Sequence, residues 1–579
     1  MFDTVIRNGM VFDGTGAPGR VADVGIRDGQ IVAVAPGLAG DAARVVDASG
    51  CIVTPGFVDA HTHYDGQATW SESLAPSPLH GVTTVVAANC GVGFAPCRAS
   101  DHDALIAAME GVEDIPGVVM AEGLDWSWES FPEFLDAVES RPHDIDVGFF
   151  LPHSPLRVFV MGERAVRLET ASPSDLDAMA EIAREAVAAG ALGFSTSRLD
   201  SHRDSAGNFI PSHNAEETEL VRIMQGAREG GEAVFQMVPE VRHPDEQSIL
   251  DEMAMVGRIS READCTATFT LVQNSVQPNG WRRMLEGVEK ANAEGGRLKP
   301  QVFPRPVGML YGLRATLNPF SLCPEFAPLE KLPLAERVAE MRKPEVRARL
   351  LADSPGDPSV PLVRFTRMWE RIYPFDGANY APKSSIAELA RQQGRKPEEV
   401  AYDLLLEDDG RALLIATIAN YQDGDLKAVF EMLQHPDTVV GLGDGGAHYG
   451  MICDASYSTF LLTWWTRDSD QGRMELAEAV RKLTSQPAAL VGLADRGKIA
   501  PGYKADINVI DYDRLGLKLP DSLYDLPSGG HRFMQRSTGY RLTMVSGVPI
   551  VEDGVLTGAT PGKLVRGVQS APARVPEPA

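Results

Sequence analysis

The sequence predicts an α/β protein, a (β/α)8 TIM-like barrel carrying a composite small β-sandwich domain formed by both chain ends. Three observations carry that reading. Short, continuous, β-branched runs alternate with helical stretches through the middle of the chain, as parallel strands with crossover helices require. Both ends instead show short apolar runs broken by Gly- and Asp-rich turns. At 579 residues the chain exceeds one ordinary domain but fits one large barrel with a smaller companion.

In order along the chain, residues 1–54 supply hairpin strands. Thr4-Val5-Ile6-Arg7 precedes Asn8-Gly9, Val24-Gly25-Ile26-Arg27 precedes Asp28-Gly29, and Ile31-Val32-Ala33-Val34 follows. Residues 55–497 form the barrel. Its eight strands are expected at 52–58, 83–88, 147–151, 191–196, 233–238, 266–272, 301–303 and 439–442, with helices such as 174–189 between them. Residues 277–381 are rich in Pro and Arg and read as a long irregular insertion, a substrate lid. Within it Trp281, Arg305, Tyr311 and Arg314 are candidates for the substrate pocket. Residues 498–568 return to strands, at 505–510 and 543–551 before Glu552-Asp553-Gly554, and complete the domain begun by the N-terminus. Residues 569–579, rich in Pro and Ala, are expected to fray.

Composition narrows the function. A 44% hydrophobic and 23% charged chain reads as globular. A formal charge of −26 opposes nucleic acid and anionic membrane surfaces as partners. The opening residues lack the basic and apolar regions of a signal peptide, and no apolar run reaches the ~20 residues of a membrane helix. Six scattered cysteines without CxxC pairs fit a reducing cytoplasm. The expected partner is a small-molecule substrate. A homo-oligomeric state is left open.

The chemistry concentrates at strand ends. His61 and His63 alternate along the first barrel strand and therefore project to one face, at the end where barrel active sites form. Two neutral imidazoles on one face make a metal ligand pair. Asp444 follows the apolar run Val439-Val440-Gly441-Leu442 and shares that mouth. His153 and Arg157 after strand three, His202 after strand four and His448 after strand eight are candidates for substrate contacts, since an arginine there could clamp a carboxylate. His80, His102, His143, His243, His435 and His531 read as surface or core residues.

The run Pro55-Gly56-Phe57-Val58-Asp59-Ala60-His61-Thr62-His63 resembles the first-strand motif of the amidohydrolase superfamily. With Asn89-Cys90-Gly91, the 153–162 segment His-Ser-Pro-Leu-Arg-Val-Phe-Val-Met-Gly, the 190–196 segment Gly-Ala-Leu-Gly-Phe-Ser-Thr, and Gly443-Asp444-Gly445, the chain resembles the D-aminoacylase (N-acyl-D-amino-acid deacylase) branch as a divergent member. The resemblance implies that Asp444 is both a metal ligand and the general base, and that Cys90 binds metal as a thiolate where other amidohydrolases use a carbamylated lysine.

Two departures stand out. The histidines that the branch carries at the ends of strands five and six are replaced by Gln236 and Gln273, whose carbonyls are weak zinc ligands. The lysine that follows in strand six and helps to hold the substrate carboxylate is missing. The expectation is one Zn2+ held by His61, His63, Cys90 and Asp444, without a firm second site, with Gln236 and Gln273 turned toward substrate. The expected activity is hydrolysis of the amide of an N-acyl amino acid or related compound. A hydrolase of a cyclic amide, carbamate or ester, and a catalytically inactive binding protein, stay open as alternatives.

Overall fold

The structure is a computed structural model that describes residues 1–240, 245–357 and 361–572. His243 and the last part of the expected tail, 573–579, lie outside the described residues.

The two chain ends share one nine-stranded sheet. Ile507–Ile510 lies between Ile52–Pro55 and Tyr540–Val545, antiparallel to both, with Val509 opposite Val53 and Leu542. Val24, Val53, Ile507, Val509, Leu542 and Met544 cluster on its covered face, because alternate residues of a strand share a side.

Eight parallel strands follow in chain order: β1 (Phe57–Asp59), β2 (Val82–Ala87), β3 (Asp146–Phe149, resuming as Leu151–Pro152), β4 (Gly193–Ser197), β5 (Val234–Val238), β6 (Thr266–Leu271), β7 (Gln301–Val302) and β8 (Val439–Val440). Beyond β8, Asp444 N–H donates to the His61 carbonyl (3.1 Å) and His63 N–H to the Gly445 carbonyl (2.8 Å). These bonds join the last strand's loop to the first strand's end and complete the (β/α)8 arrangement. Helices Pro173–Ala189, Glu217–Gly230, Glu246–Glu262 and Gly280–Ala293 link β3 through β7. The first is started by Ser172 and Asp175, which cap each other's backbone N–H. Among the described residues no helix is long and apolar enough to cross a membrane.

Three expectations are corrected. The segment 52–58 is two strands, not one. Ile52–Pro55 belongs to the sheet of the chain ends, and β1 begins only after Gly56. A Cβ at Gly56 would lie 2.2 Å from Thr83 Oγ1, so the chain changes sheets where only glycine fits. The region 277–381 is not irregular. It holds helices Gly280–Ala293, Leu334–Met341 and Pro344–Ala352, and strands Val307–Gly312 and Ile372–Phe375. Both strands pair antiparallel with Leu413–Ala419. Its prolines misled because Pro328 and Pro344 sit in first helical turns, where a missing N–H costs nothing. Finally, residues 562–567 leave the end-built sheet and run along β3: Val147 N–H donates to the Lys563 carbonyl, and Val565 N–H to that of Val147. Gln569 is likewise held, donating to Gly492 and accepting from Ala494, so fraying cannot begin there.

Candidate metal centre

The ends of β1, β2 and β8 bring four predicted residues together. Cys90 Sγ lies 3.4 Å from His61 Nε2 and 3.8 Å from His63 Nε2. Asp444 Oδ1 lies 3.6 Å from His61 Nε2 and 3.8 Å from His63 Nε2. The ligand atoms of His61, His63 and Cys90 all fall within 4.8 Å of one another. Donors at zinc–nitrogen and zinc–sulfur bond lengths around one tetrahedral ion stand about 3.5 Å apart.

The local backbone is unusual where these side chains leave it. Cys90 (φ 58°) and Asp444 (φ 45°) both adopt the left-handed region, which is costly for residues with a Cβ. Gly91 beside Cys90 has φ 70°, and a Cβ there would lie 2.8 Å from Thr196 Cα. Next to Asp444, a Cβ on Gly443 would lie 2.0 Å from Asp59 Oδ2. The turns are built around glycines so that the thiol and the carboxylate can face the imidazoles.

Each imidazole is oriented from behind. His61 Nδ1 is 3.1 Å from Gln301 Oε1, and His63 Nδ1 is 3.4 Å from Glu113 Oε1. Protons on the two Nδ1 atoms leave both Nε2 lone pairs free to ligate. Burial holds His61 down at about 4 and His63 well below its usual range, so both rings are neutral, as ligands must be. Burial, reinforced by neighbouring carboxylates, pushes the Cys90 thiol, the Glu113 carboxyl and the Asp444 carboxyl well above their ordinary ranges. Asp444 Oδ1 is buried without a hydrogen-bond partner. A buried acidic cluster facing two neutral imidazoles, with an orphaned oxygen among them, fits a divalent cation. The nitrogen, sulfur and oxygen donors fit zinc.

The other predicted residues divide. Gln236 borders the cluster, but its carbonyl accepts from Cys90 N–H (3.1 Å). His448 lies 3.5 Å from Glu113 Oε2, at the mouth beside Asp444, and both side chains keep about a fifth of their surface exposed. His202 Nδ1 is 2.8 Å from Ser197 Oγ at the end of β4. Gln273 is tied to the loop after Leu413–Ala419: its amide donates to Asp423 (2.7 Å) and its carbonyl accepts from Gln422 N–H (3.2 Å).

The structure does not bring His153 and Arg157 to the metal cluster as a substrate clamp. His153 bonds Thr196 (2.8 Å) and Glu219 (2.8 Å), and Arg157 pairs with Glu219 (3.1 Å) and donates to the Pro211 and Glu169 carbonyls. Buried charges must find partners, and Glu219 on helix Glu217–Gly230 supplies one. Of the pocket candidates, Arg305 is fully buried on Asp454 (2.7 Å) under the Tyr380 ring. Tyr311 donates to Phe365 and Arg314 to Arg411, while Trp281 is buried on its helix.

The sequence reading missed Glu113, Gln301, Asp59 and Asp65. Asp59 caps His61 N–H (3.1 Å) and Asp65 caps Ala88 N–H (3.1 Å), and burial raises each carboxyl to about 7. A glutamine opening the apolar strand β7 was a legible signal. Glu113, at the end of the amphipathic helix His102–Glu113, gave none.

Comparison with known proteins bears on the fold and the family. The model of an amidohydrolase family matches residues 44–551. The D-aminoacylase of Alcaligenes xylosoxydans xylosoxydans is 26% identical over 97% of each chain, and the N-acyl-D-glutamate deacylase of the same organism is 28% identical over 88% of each. A solved D-aminoacylase, described as having a binuclear metal centre activated by one metal and attenuated by the second, superposes with a TM-score of 0.66. It is 25% identical, and the match covers 98% of this chain and 100% of that one. Fold, first-strand histidines and family match converge: the chain belongs to the amidohydrolase family, as a divergent member of its D-aminoacylase branch.

Proposed function

We propose that the protein is a zinc-dependent hydrolase of the cytoplasm that cleaves the amide bond of an N-acyl amino acid or a closely related N-acyl compound. The observation that carries this reading is Asp444 Oδ1, buried, partnerless, and within 4 Å of both His61 and His63. The deacylase relatives support the substrate class.

His61, His63, Cys90 and Asp444 would hold one zinc ion. When bound there, zinc acidifies water and polarises a carbonyl. Asp444 takes the proton of the attacking water at its free carboxylate oxygen and returns it to the departing nitrogen. Its partial exposure opens it to the mouth, while His61 and His63 stay sealed at 1–2% exposure. His448 and His202, at the same rim, contact the substrate. Gln236 keeps Cys90 in place, and Gln273 shapes the wall formed by the chain between β7 and β8.

The test is a substrate panel on the zinc-loaded protein: N-acyl-D-amino acids, their L-enantiomers, aryl amides and cyclic amides. Release of a free amino acid from an N-acyl-D-amino acid is expected. Turnover confined to cyclic substrates would overturn the proposal.

A further inference from the structure

Glu113 is a buried carboxylate, 2% exposed, at the C-terminal end of helix His102–Glu113. That end carries the helix's own partial negative charge, so an anion there gains nothing from the dipole. Neither a lysine nor an arginine pairs with it among the described residues. The groups that face it are two imidazoles and a thiol. Oε1 is 3.4 Å from His63 Nδ1, Oε2 is 3.5 Å from His448 Nε2, and the Cys90 thiol lies beside the same carboxyl. Its main chain reaches the same loop, the carbonyl accepting from His448 N–H at 2.5 Å. His63 Nδ1 and Glu113 Oε1 are both buried without a hydrogen-bond partner, and the 3.4 Å between them is an ion-pair contact.

We propose that Glu113 is the positioning residue of this centre, one carboxylate that fixes His63 as a ligand with one oxygen and His448 at the mouth with the other. The inference rests on the zinc site above and extends it to a residue that binds neither metal nor substrate. An acceptor at Nδ1 selects the His63 tautomer whose Nε2 lone pair points at Cys90 and Asp444, and raises the basicity of that lone pair. Gln301 plays the corresponding part for His61, but as a neutral amide. The two ligand imidazoles are therefore backed unequally, by an amide behind His61 and by a carboxyl group shared with the mouth behind His63.

The experiment measures zinc affinity by chelator competition, and the spectrum of the cobalt-substituted protein, for the wild type, Glu113→Gln and Glu113→Leu. Glu113→Leu removes both acceptors and should weaken zinc about 10- to 100-fold and shift the cobalt bands. Glu113→Gln keeps one acceptor oxygen in place of two and should fall between. Zinc affinity within twofold of wild type in both variants would overturn the proposal. Should Glu113→Leu fail to fold, Glu113→Gln alone decides by the same criterion. A wild-type protein that binds no zinc would remove the site itself, a failure visible before any variant is compared.

Discussion

The main-chain N–H of Cys90 donates to the side-chain carbonyl of Gln236 at 3.1 Å. That bond settles the orientation of the amide, since a backbone N–H can only donate. The carbonyl oxygen is directed at that N–H, and the remaining NH2, buried without a partner, has no lone pair to offer a metal. Strand five thus holds the Cys90 turn in place of providing a ligand, and Gln273 is tied down on Asp423 and Gln422. Elemental analysis of purified protein should return about one zinc per chain. Two tightly bound ions would contradict this geometry.

In the proposed reaction, turnover depends on Asp444. Asp444→Asn keeps the volume and loses the proton acceptor, so kcat should fall by at least ~10²-fold with the thermal melt of the zinc-loaded protein still cooperative. Retained turnover would show that another group moves the proton.

In the proposed centre, Cys90 supplies the sulfur of the donor set. Cys90→Ala should weaken zinc by more than about tenfold and abolish the thiolate-to-cobalt charge-transfer band of the cobalt form. A band that survives would place the thiol outside the coordination sphere.

Away from the metal, His80 predicts an acid sensitivity. It is fully buried where the barrel meets the C-terminal strands, with Nδ1 2.9 Å from Thr459 Oγ1 and Nε2 2.9 Å from the Gln535 carbonyl. Burial lowers it to about 4, against about 6.5 in an unfolded chain. The folded state therefore binds fewer protons in that window. Its stabilising share is complete above pH 6.5 and drains away as pH falls toward 4, to a total on the order of 3 kcal/mol. In urea denaturation, the stability gap between wild type and His80→Gln should narrow by that order from pH 7 to pH 4.5. An unchanged gap would refute the assignment.

What could be read from the sequence follows from range. The eight barrel strands announce themselves through local apolar runs, and His61-x-His63 through a two-residue repeat, so both were legible. Cys90 and Asp444 came from motifs in their own turns. Glu113 and Gln301 act at long range: each meets its histidine only because the barrel closes, and although a glutamine opening an apolar strand stands out, nothing local marks which histidine it meets. His153 and Arg157 were legible as functional-looking residues, yet their partner Glu219 lies beyond the next barrel strand, on helix Glu217–Gly230, and turns them into internal support. The prolines of 277–381 punctuate helices as readily as loops, which is why that region's order was hidden.

The folded insertion between Val302 and Val439 bears on how the chain finds its barrel. Strands β7 and β8 pair directly, Gln301 with Val439 and Val302 with Val440, across the longest excursion between neighbouring barrel strands. Were that excursion a slack coil, joining its ends would charge the whole loop-closure entropy to one two-residue ladder. It carries its own hydrophobic cluster, among them Tyr311, Phe320, Tyr402 and Leu405, and a three-stranded sheet. Consolidating first, it would bring its two ends near each other and shorten the search for the last strand. A destabilising core substitution such as Phe320→Ala should then slow refolding of the barrel from which it is remote, with stopped-flow fluorescence as the readout.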